Sequence, residues 1–381
     1  MSLRQQNLGS IIKPGFNPLA APTPSYTYYL NSWGTNTNGQ LGLGNTTAYS
    51  SPKQVGSLTN WSFLSTGAQA ATIAIKTDGT MWSWGKNNYG VLGLGDTTSR
   101  SSPVQIGALT NWLYVSAGYS HCAAVKTDGT LWTWGRNQAG ALGIINTTNY
   151  SSPKQVGALT NWLRTAANGY TGFTLAIKTD GTLWSWGGNN YGQQGRGNTS
   201  QTESPNQVGA STNWSTVVAS IGNFVIATKT DGTLWSWGRN VDGALGLGNR
   251  TYYSSPKQVG ALSTWLKVAT GYCYVASVKT DGTLWTWGRS SPNGQLGLGN
   301  LTNYSSPKQV GSLTSWLNIA AGYYFNLASK TDGTLWSWGI GGSGSLGLNN
   351  RTNYSSPKQV GSLTNWGAVS CTTNSSFALA Y

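Results

Sequence analysis

Few residues in this chain could perform acid–base, nucleophilic or metal chemistry: nine acidic residues, one histidine and three cysteines among 381. Six of the acids, Asp78, Asp128, Asp180, Asp231, Asp281 and Asp332, recur in one segment, Lys-Thr-Asp-Gly-Thr. Their regular placement marks them as turn residues. Only Asp96, Glu203 and Asp242 remain, too scattered to read as a carboxylate pair for general acid–base work. His121 has no cysteine or serine partner at a recognisable spacing, so no nucleophile–base pair is expected. Cys122, Cys273 and Cys371 follow neither a metal-ligand nor a disulfide spacing. The Leu-Gly-Leu-Gly-Asn segments lack the Lys-Ser/Thr and following helix of a phosphate loop. The sequence therefore reads as a non-enzyme, and no cofactor is implied.

Charge is the stronger chemical signal. The formal net charge is +14, and setting aside the six Lys–Asp pairs of the repeated segment leaves 17 basic residues against three acidic ones. Lys86, Arg136, Arg239 and Arg289 each directly follow a Trp-Gly pair. If they share one position in a repeating fold, one face carries four cations and would attract an acidic partner. Lys53, Lys154, Lys257, Lys308 and Lys358 sit in Ser-Pro-Lys-Gln, where Pro and Lys suit an exposed edge strand that must refuse foreign strands. Tyr49, Tyr150, Tyr253, Tyr304 and Tyr354 precede these segments and pack locally, or else form a rim for protein or glycan. The fourth repeat deviates most, and Gln193, Gln194, Arg196, Gln201 and Glu203 are its candidates for a partner-specific patch. Nucleic acid is disfavoured, because the tryptophans are committed to the repeat and leave no aromatic platform for bases.

The elements that position these residues follow from the repeat. Trp-Gly recurs at Trp33, Trp84, Trp134, Trp186, Trp237, Trp287 and Trp338, at intervals of 50–52 residues. A second tryptophan recurs at Trp61, Trp112, Trp162, Trp214, Trp265, Trp316 and Trp366, and a third two residues before the Trp-Gly position in six repeats. Together they account for all 20 tryptophans, which reads them as core anchors. Each unit predicts four short strands of alternating character, with Asp-Gly as a two-residue hairpin turn. Four-stranded antiparallel units repeated seven times predict an all-β, seven-bladed β-propeller. The chain ends on the equivalent of a second strand and begins on the equivalent of a third. One composite blade is therefore expected to pair strands of 366–381 with strands of 25–56 and close the ring.

Trp-Gly-x-Asn-x-x-Gly-x-Leu-Gly, best seen at Trp33–Asn45, and AGYSHCAAVKTDG, Ala117–Gly129, resemble the regulator of chromosome condensation repeat family. The resemblance runs through every repeat of 25–381 and implies the same seven-bladed propeller. It implies no single function, because the family is a scaffold with many uses. The family's repeat histidine stands only at His121; its counterparts are Ala71, Phe173, Phe224, Tyr274, Phe325 and Phe377. Family members that act as nuclear exchange factors on a small GTPase use inserted loops, for which repeats of 50–52 residues leave no room.

Residues 1–24 are expected to form an extended arm outside the ring, with Arg4, Ile11, Ile12, Lys13 and Phe16 contacting other protein subunits. No apolar run is long enough to cross a bilayer, and no secretory leader is evident. The first functional expectation is a structural or adhesion component of a larger assembly, such as a bacterial virus particle, with the propeller displayed and the arm as tether. In that case the chain resides in the virion, and otherwise in the cytoplasm. The alternatives are a soluble protein-binding module, such as a GTPase regulator or enzyme inhibitor, and a basic chromatin- or nucleic-acid-binding propeller.

Overall fold

The computed structural model describes residues 28–381, so the candidate arm residues Arg4, Ile11, Ile12, Lys13 and Phe16 lie outside the described part. The described chain forms seven four-stranded antiparallel sheets. Six blades use consecutive strands; blade 2, for example, runs Trp61–Thr66, Ala71–Lys76, Met81–Gly85 and Arg100–Gln105. Blades 3 to 7 repeat this plan from Trp112, Trp162, Trp214, Trp265 and Trp316. Blade 1 is the composite, ordered Tyr49–Gln54, Tyr29–Gly34, Ser375–Ala380, Trp366–Cys371. Its closing ladder runs without a break from Tyr29 opposite Ala380 to Gly34 opposite Ser375.

Burial follows strand order. The first strands of all seven blades surround a central channel. The second strands are buried at nearly every residue, because neighbouring blades cover both faces. The fourth strands form the outer edge, and lysines such as Lys53 and Lys154 stand exposed near their ends. A separate apolar cluster fills each of the seven interfaces between blades, so the core is a ring of seven parts.

Each Trp-Gly tryptophan staples its blade to the preceding one. The indole N–H of Trp84 donates to the Gln40 carbonyl at 2.9 Å, Trp134 to Val91 at 2.8 Å, and Trp237 to Gln193 at 2.9 Å. Across the ring closure, Trp33 donates to Ser345 at 2.9 Å. The Leu-Gly-Leu-Gly segments thereby acquire a structural reason. A Cβ on Gly347 would lie 2.7 Å from the Trp33 indole nitrogen, and Gly42 stands in the same relation to Trp84.

The Asp-Gly turn differs from the expected two-residue hairpin. The Gly79 amide donates to the Lys76 carbonyl and the Lys76 amide to the Thr80 carbonyl, enclosing a three-residue loop. Only Gly79 has positive φ, at 76°, as the bulge residue after a type I turn. Asp78 instead accepts from the Thr80 amide at 2.9 Å and the Thr80 hydroxyl at 2.6 Å. Those bonds, the hydroxyl's first, hold its carboxyl below the usual carboxylate range. Thr80 Oγ1 in turn accepts the Trp82 indole N–H at 2.9 Å.

The Lys of this segment does not form a contact ion pair with its Asp. Lys76 Nζ lies 3.8 Å from the Trp82 ring centre and 5.2 Å from that of Trp61, and the other five blades with the segment repeat this pairing. Asp281→Ala should lower stability by about 1 kcal/mol through loss of the two Thr283 bonds. Denaturant unfolding at pH 7 measures this. The loss should shrink as pH falls below the ordinary carboxylate range, because the depressed Asp281 pKa contributes stability only above it.

Candidate protein-binding face

The loops after the third strands all rise on one face, and a buried amide organises them. In blade 2, Asn87 Nδ2 donates to the carbonyls of Asp96 and Thr98 while its Oδ1 accepts the Leu92 amide. Asn36, Asn189 and Asn240 repeat the arrangement. The residue just before this asparagine is thereby held in a fixed place.

That residue is Lys86, Arg136 or Arg239 in three of the blades, and Arg289 takes the same place in blade 6. Their backbone amides donate to the carbonyls of Ala70, Ser120, Asn223 and Cys273 at 2.9–3.0 Å. Thr35, Gly188 and Ile340 make the equivalent bond in the other blades. The structure thus brings all four cations to one register position on one face. All four are half-buried. Among the described residues the one ion pair is Arg100–Asp96, so none of the four is neutralised by a contact carboxylate.

The face also carries tyrosines that the reading of the sequence missed. Arg136 lies over the Tyr89 ring at 4.8 Å, Arg239 over Tyr191 at 5.5 Å and Arg289 over Tyr324 at 5.6 Å. Tyr272 stacks on Tyr323 at 4.6 Å with an 11° interplanar angle, and Tyr324 meets Tyr323 edge-on at 4.5 Å. Tyr119 packs on Tyr170, which is 65% exposed. The signal was available: Gly-Tyr follows the innermost strand at Tyr119, Tyr272 and Tyr323. The tryptophans are in the core as expected, but the premise that no aromatic platform remains does not hold. Burial works against the Arg239 charge, yet Tyr272 and Tyr252 more than offset it, leaving its pKa raised.

Other candidates fall elsewhere. Gln193 and Gln194, read as surface deviations of the fourth repeat, are fully buried. Gln194 donates to the Gly187 carbonyl and accepts from Arg196 Nε, satisfying a core position where the other six blades place Leu. The outer-strand tyrosines are occupied locally. Tyr253 accepts from Asn249 at 3.2 Å and lies beneath Lys257 at 5.5 Å, and Tyr304 and Tyr354 repeat the pattern.

The groups suited to catalysis are poorly placed for it. His121 is fully buried, bonded to Thr174 at 2.8 Å, and its pKa falls to about 4 chiefly through burial. Burial raises the thiol pKa values of Cys122 and Cys371, and that of Cys273 to about 12 with a further contribution from Asp242. Such thiols stay protonated and unreactive. Among the described residues no three His, Cys, Asp or Glu side chains converge as metal donors, and no helix is long and apolar enough to cross a membrane.

Comparison with known proteins agrees with this geometry. The RCC1-like domain profile matches residues 115–380, and the regulator of chromosome condensation (RCC1) repeat matches 30–70 and 78–125. The ultraviolet-B receptor UVR8 of Arabidopsis thaliana is 29% identical over 61% of this chain and 54% of its own length. The chain therefore spans about half of that relative. Mouse protein RCC2 is 41% identical over 23% of this chain and 17% of its own. The crystal structure of Prp20p from Saccharomyces cerevisiae superposes with a TM-score of 0.82 at 20% identity, covering 94% of this chain and 92% of that one. These relatives favour the protein-binding expectation and lend nothing to display on a virus particle. The matching profiles are those of a repeat scaffold and not of an enzyme family. The chain belongs to the RCC1-like family of seven-bladed propellers.

Proposed function

We propose that this chain is a non-catalytic protein-binding propeller whose loop face, through Lys86, Arg136, Arg239 and Arg289, takes an acidic partner surface. The observation that carries this reading is the shared register of the four cations, none in a contact ion pair. Tyrosines support it further, since aromatic rings and Arg are the side chains that dominate interface energetics. Prp20p, whose structure was described together with its binding to Gsp1p and histones, shows the same fold in a protein-binding role. A tethering role for residues 1–24 rests on residues outside the described part, and the relatives add nothing to it.

A matched-charge comparison tests the reading. One variant changes Lys86, Arg136, Arg239 and Arg289 to alanine; a second changes Lys154, Lys257, Lys308 and Lys358, removing equal charge from the outer strands. Binding of a glutamate-rich polypeptide should weaken by roughly 100-fold or more in the first, at about 0.7 kcal/mol or more per cation, and little in the second. Equal weakening in both would reduce the effect to net charge and refute a dedicated face. Tighter binding of single-stranded DNA, with a steep salt dependence, would instead favour a nucleic-acid partner.

A further inference from the structure

The four cations of the loop face do not stand in equal surroundings. Among the described residues, Lys86 lies over no aromatic ring and Arg136 over Tyr89 alone. Arg239 and Arg289 instead belong to one connected set of rings drawn from blades 4 to 7. Arg239 lies 5.5 Å from the Tyr191 ring, which meets Tyr252 edge-on at 6.0 Å, and the Tyr272 and Tyr252 hydroxyls reach the same guanidinium. Tyr272 stacks on Tyr323 at 4.6 Å, and Tyr324 stands edge-on to both, at 6.2 and 4.5 Å. Arg289 closes the set at 5.6 Å from the Tyr324 ring.

The backbone fixes the stacked pair. The Tyr272 amide donates to the Tyr323 carbonyl and the Tyr323 amide to that of Thr373, both at 3.2 Å, so the closure of neighbouring blades sets both ring positions. A surface held in this way loses little freedom when a partner arrives. The sector is nevertheless open. Tyr252 is 44% exposed and Val241, beside it on the same face, 40%, while Tyr191, Tyr272, Tyr323 and Tyr324 are half-buried. Its charge is uneven: two arginines stand with one carboxylate, Asp242, which is held by the Cys273 thiol and makes no contact ion pair. Guanidinium donors and aromatic surface thus lie side by side, which matches an acceptor-rich group next to an apolar one.

We propose that this set is the specificity-determining part of the loop face and takes a protein segment in which acidic side chains flank an aromatic one. The carboxylates lie on Arg239 and Arg289, and the ring lies against the Tyr272–Tyr323 pair. The inference rests on the acidic-partner reading above and adds to it. Lys86 and Arg136 supply attraction over distance, and the aromatic set supplies selection.

Fluorescence anisotropy of the full chain with two labelled glutamate-rich peptides tests this. The peptides are equal in length and charge; one carries a central Phe and the other Ser in its place. The Phe peptide should bind about tenfold tighter or more. Changing Tyr272 and Tyr323 together to threonine, the residue that Thr373 places in the same hydrogen-bonded register, should remove most of that preference. The Ser peptide should stay within about threefold of its parent affinity, which also shows that the variant is folded. Should the double variant unfold, Tyr323→Thr alone gives the same ratio test. Changing Tyr119 and Tyr170, a packed pair outside this set, should leave the preference intact. Arg239→Gln combined with Arg289→Gln should weaken both peptides by about tenfold or more. Equal binding of the two peptides by the parent chain would overturn the proposal and leave the acidic-partner reading standing. A preference that survives the loss of Tyr272 and Tyr323, or that falls equally with Tyr119 and Tyr170, would do the same. Binding of neither peptide would refute the acidic-partner reading itself, and the proposal with it.

Discussion

Trp33→Ala should destabilise the protein by about 3–5 kcal/mol, as much as the same change in an uninterrupted blade. The Trp33 side chain is fully buried, donates its N–H to Ser345 at 2.9 Å and packs edge-on to Trp366 at 6.3 Å. Its partner carbonyl is 312 residues away along the chain, so this staple joins the two ends of the ring. Removing the indole opens a cavity against Gly347, whose backbone approaches too closely to admit a side chain that would fill it. Trp33→Phe keeps part of the apolar surface and loses the hydrogen bond, so it should fall between. Denaturant unfolding of Trp33→Ala beside Trp237→Ala decides the matter. A loss below about 1 kcal/mol for Trp33→Ala alone would mean that the composite blade is not a working part of the ring.

His121 predicts an acid limb in the stability profile. Its pKa is about 4 when folded against an ordinary 6.5, so the unfolded chain binds the extra proton first as pH falls. Stability is therefore full above about pH 6.5 and is lost progressively down to about pH 4, by about 3 kcal/mol. The hairpin aspartates contribute below that window, since their depressed pKa values start from 3.8. His121→Phe places at this position the residue found at Phe173 and Phe224, and should flatten the profile between pH 6.5 and 4. An unchanged acid limb in His121→Phe would show that another group carries it.

The propeller was legible because its determinants are local and repeated. Trp-Gly, Lys-Thr-Asp-Gly-Thr and Ser-Pro-Lys-Gln each mark one strand end or turn, and the offset between first and last repeats placed the composite blade. The turn type was not legible from Asp-Gly alone, because that pair serves both a two-residue turn and a type I turn with a glycine bulge. The four cations were legible because each keeps one distance from Trp-Gly, which the pleat converts into a common position. The tyrosine cluster was missed because Tyr272 and Tyr323 meet only where neighbouring blades converge, a contact across 51 residues of chain. Gln193 and Gln194 misled in the opposite direction: departures from a repeat suggest a surface, but here Gln193 is satisfied by Thr171, and Gln194 by Arg196 and the Gly187 carbonyl, inside the core.

The central claim is that partners dock on the loop face. Amide hydrogen exchange, with and without a saturating glutamate-rich polypeptide, tests it most directly. Protection should appear around Lys86–Gly90, Arg136–Gly140, Arg239–Gly243, Tyr272–Cys273 and Tyr323–Tyr324, while the outer strands around Lys154, Lys257 and Lys308 stay unchanged. Protection concentrated on those outer strands, or on the hairpin face around Asp78 and Asp128, would contradict the account.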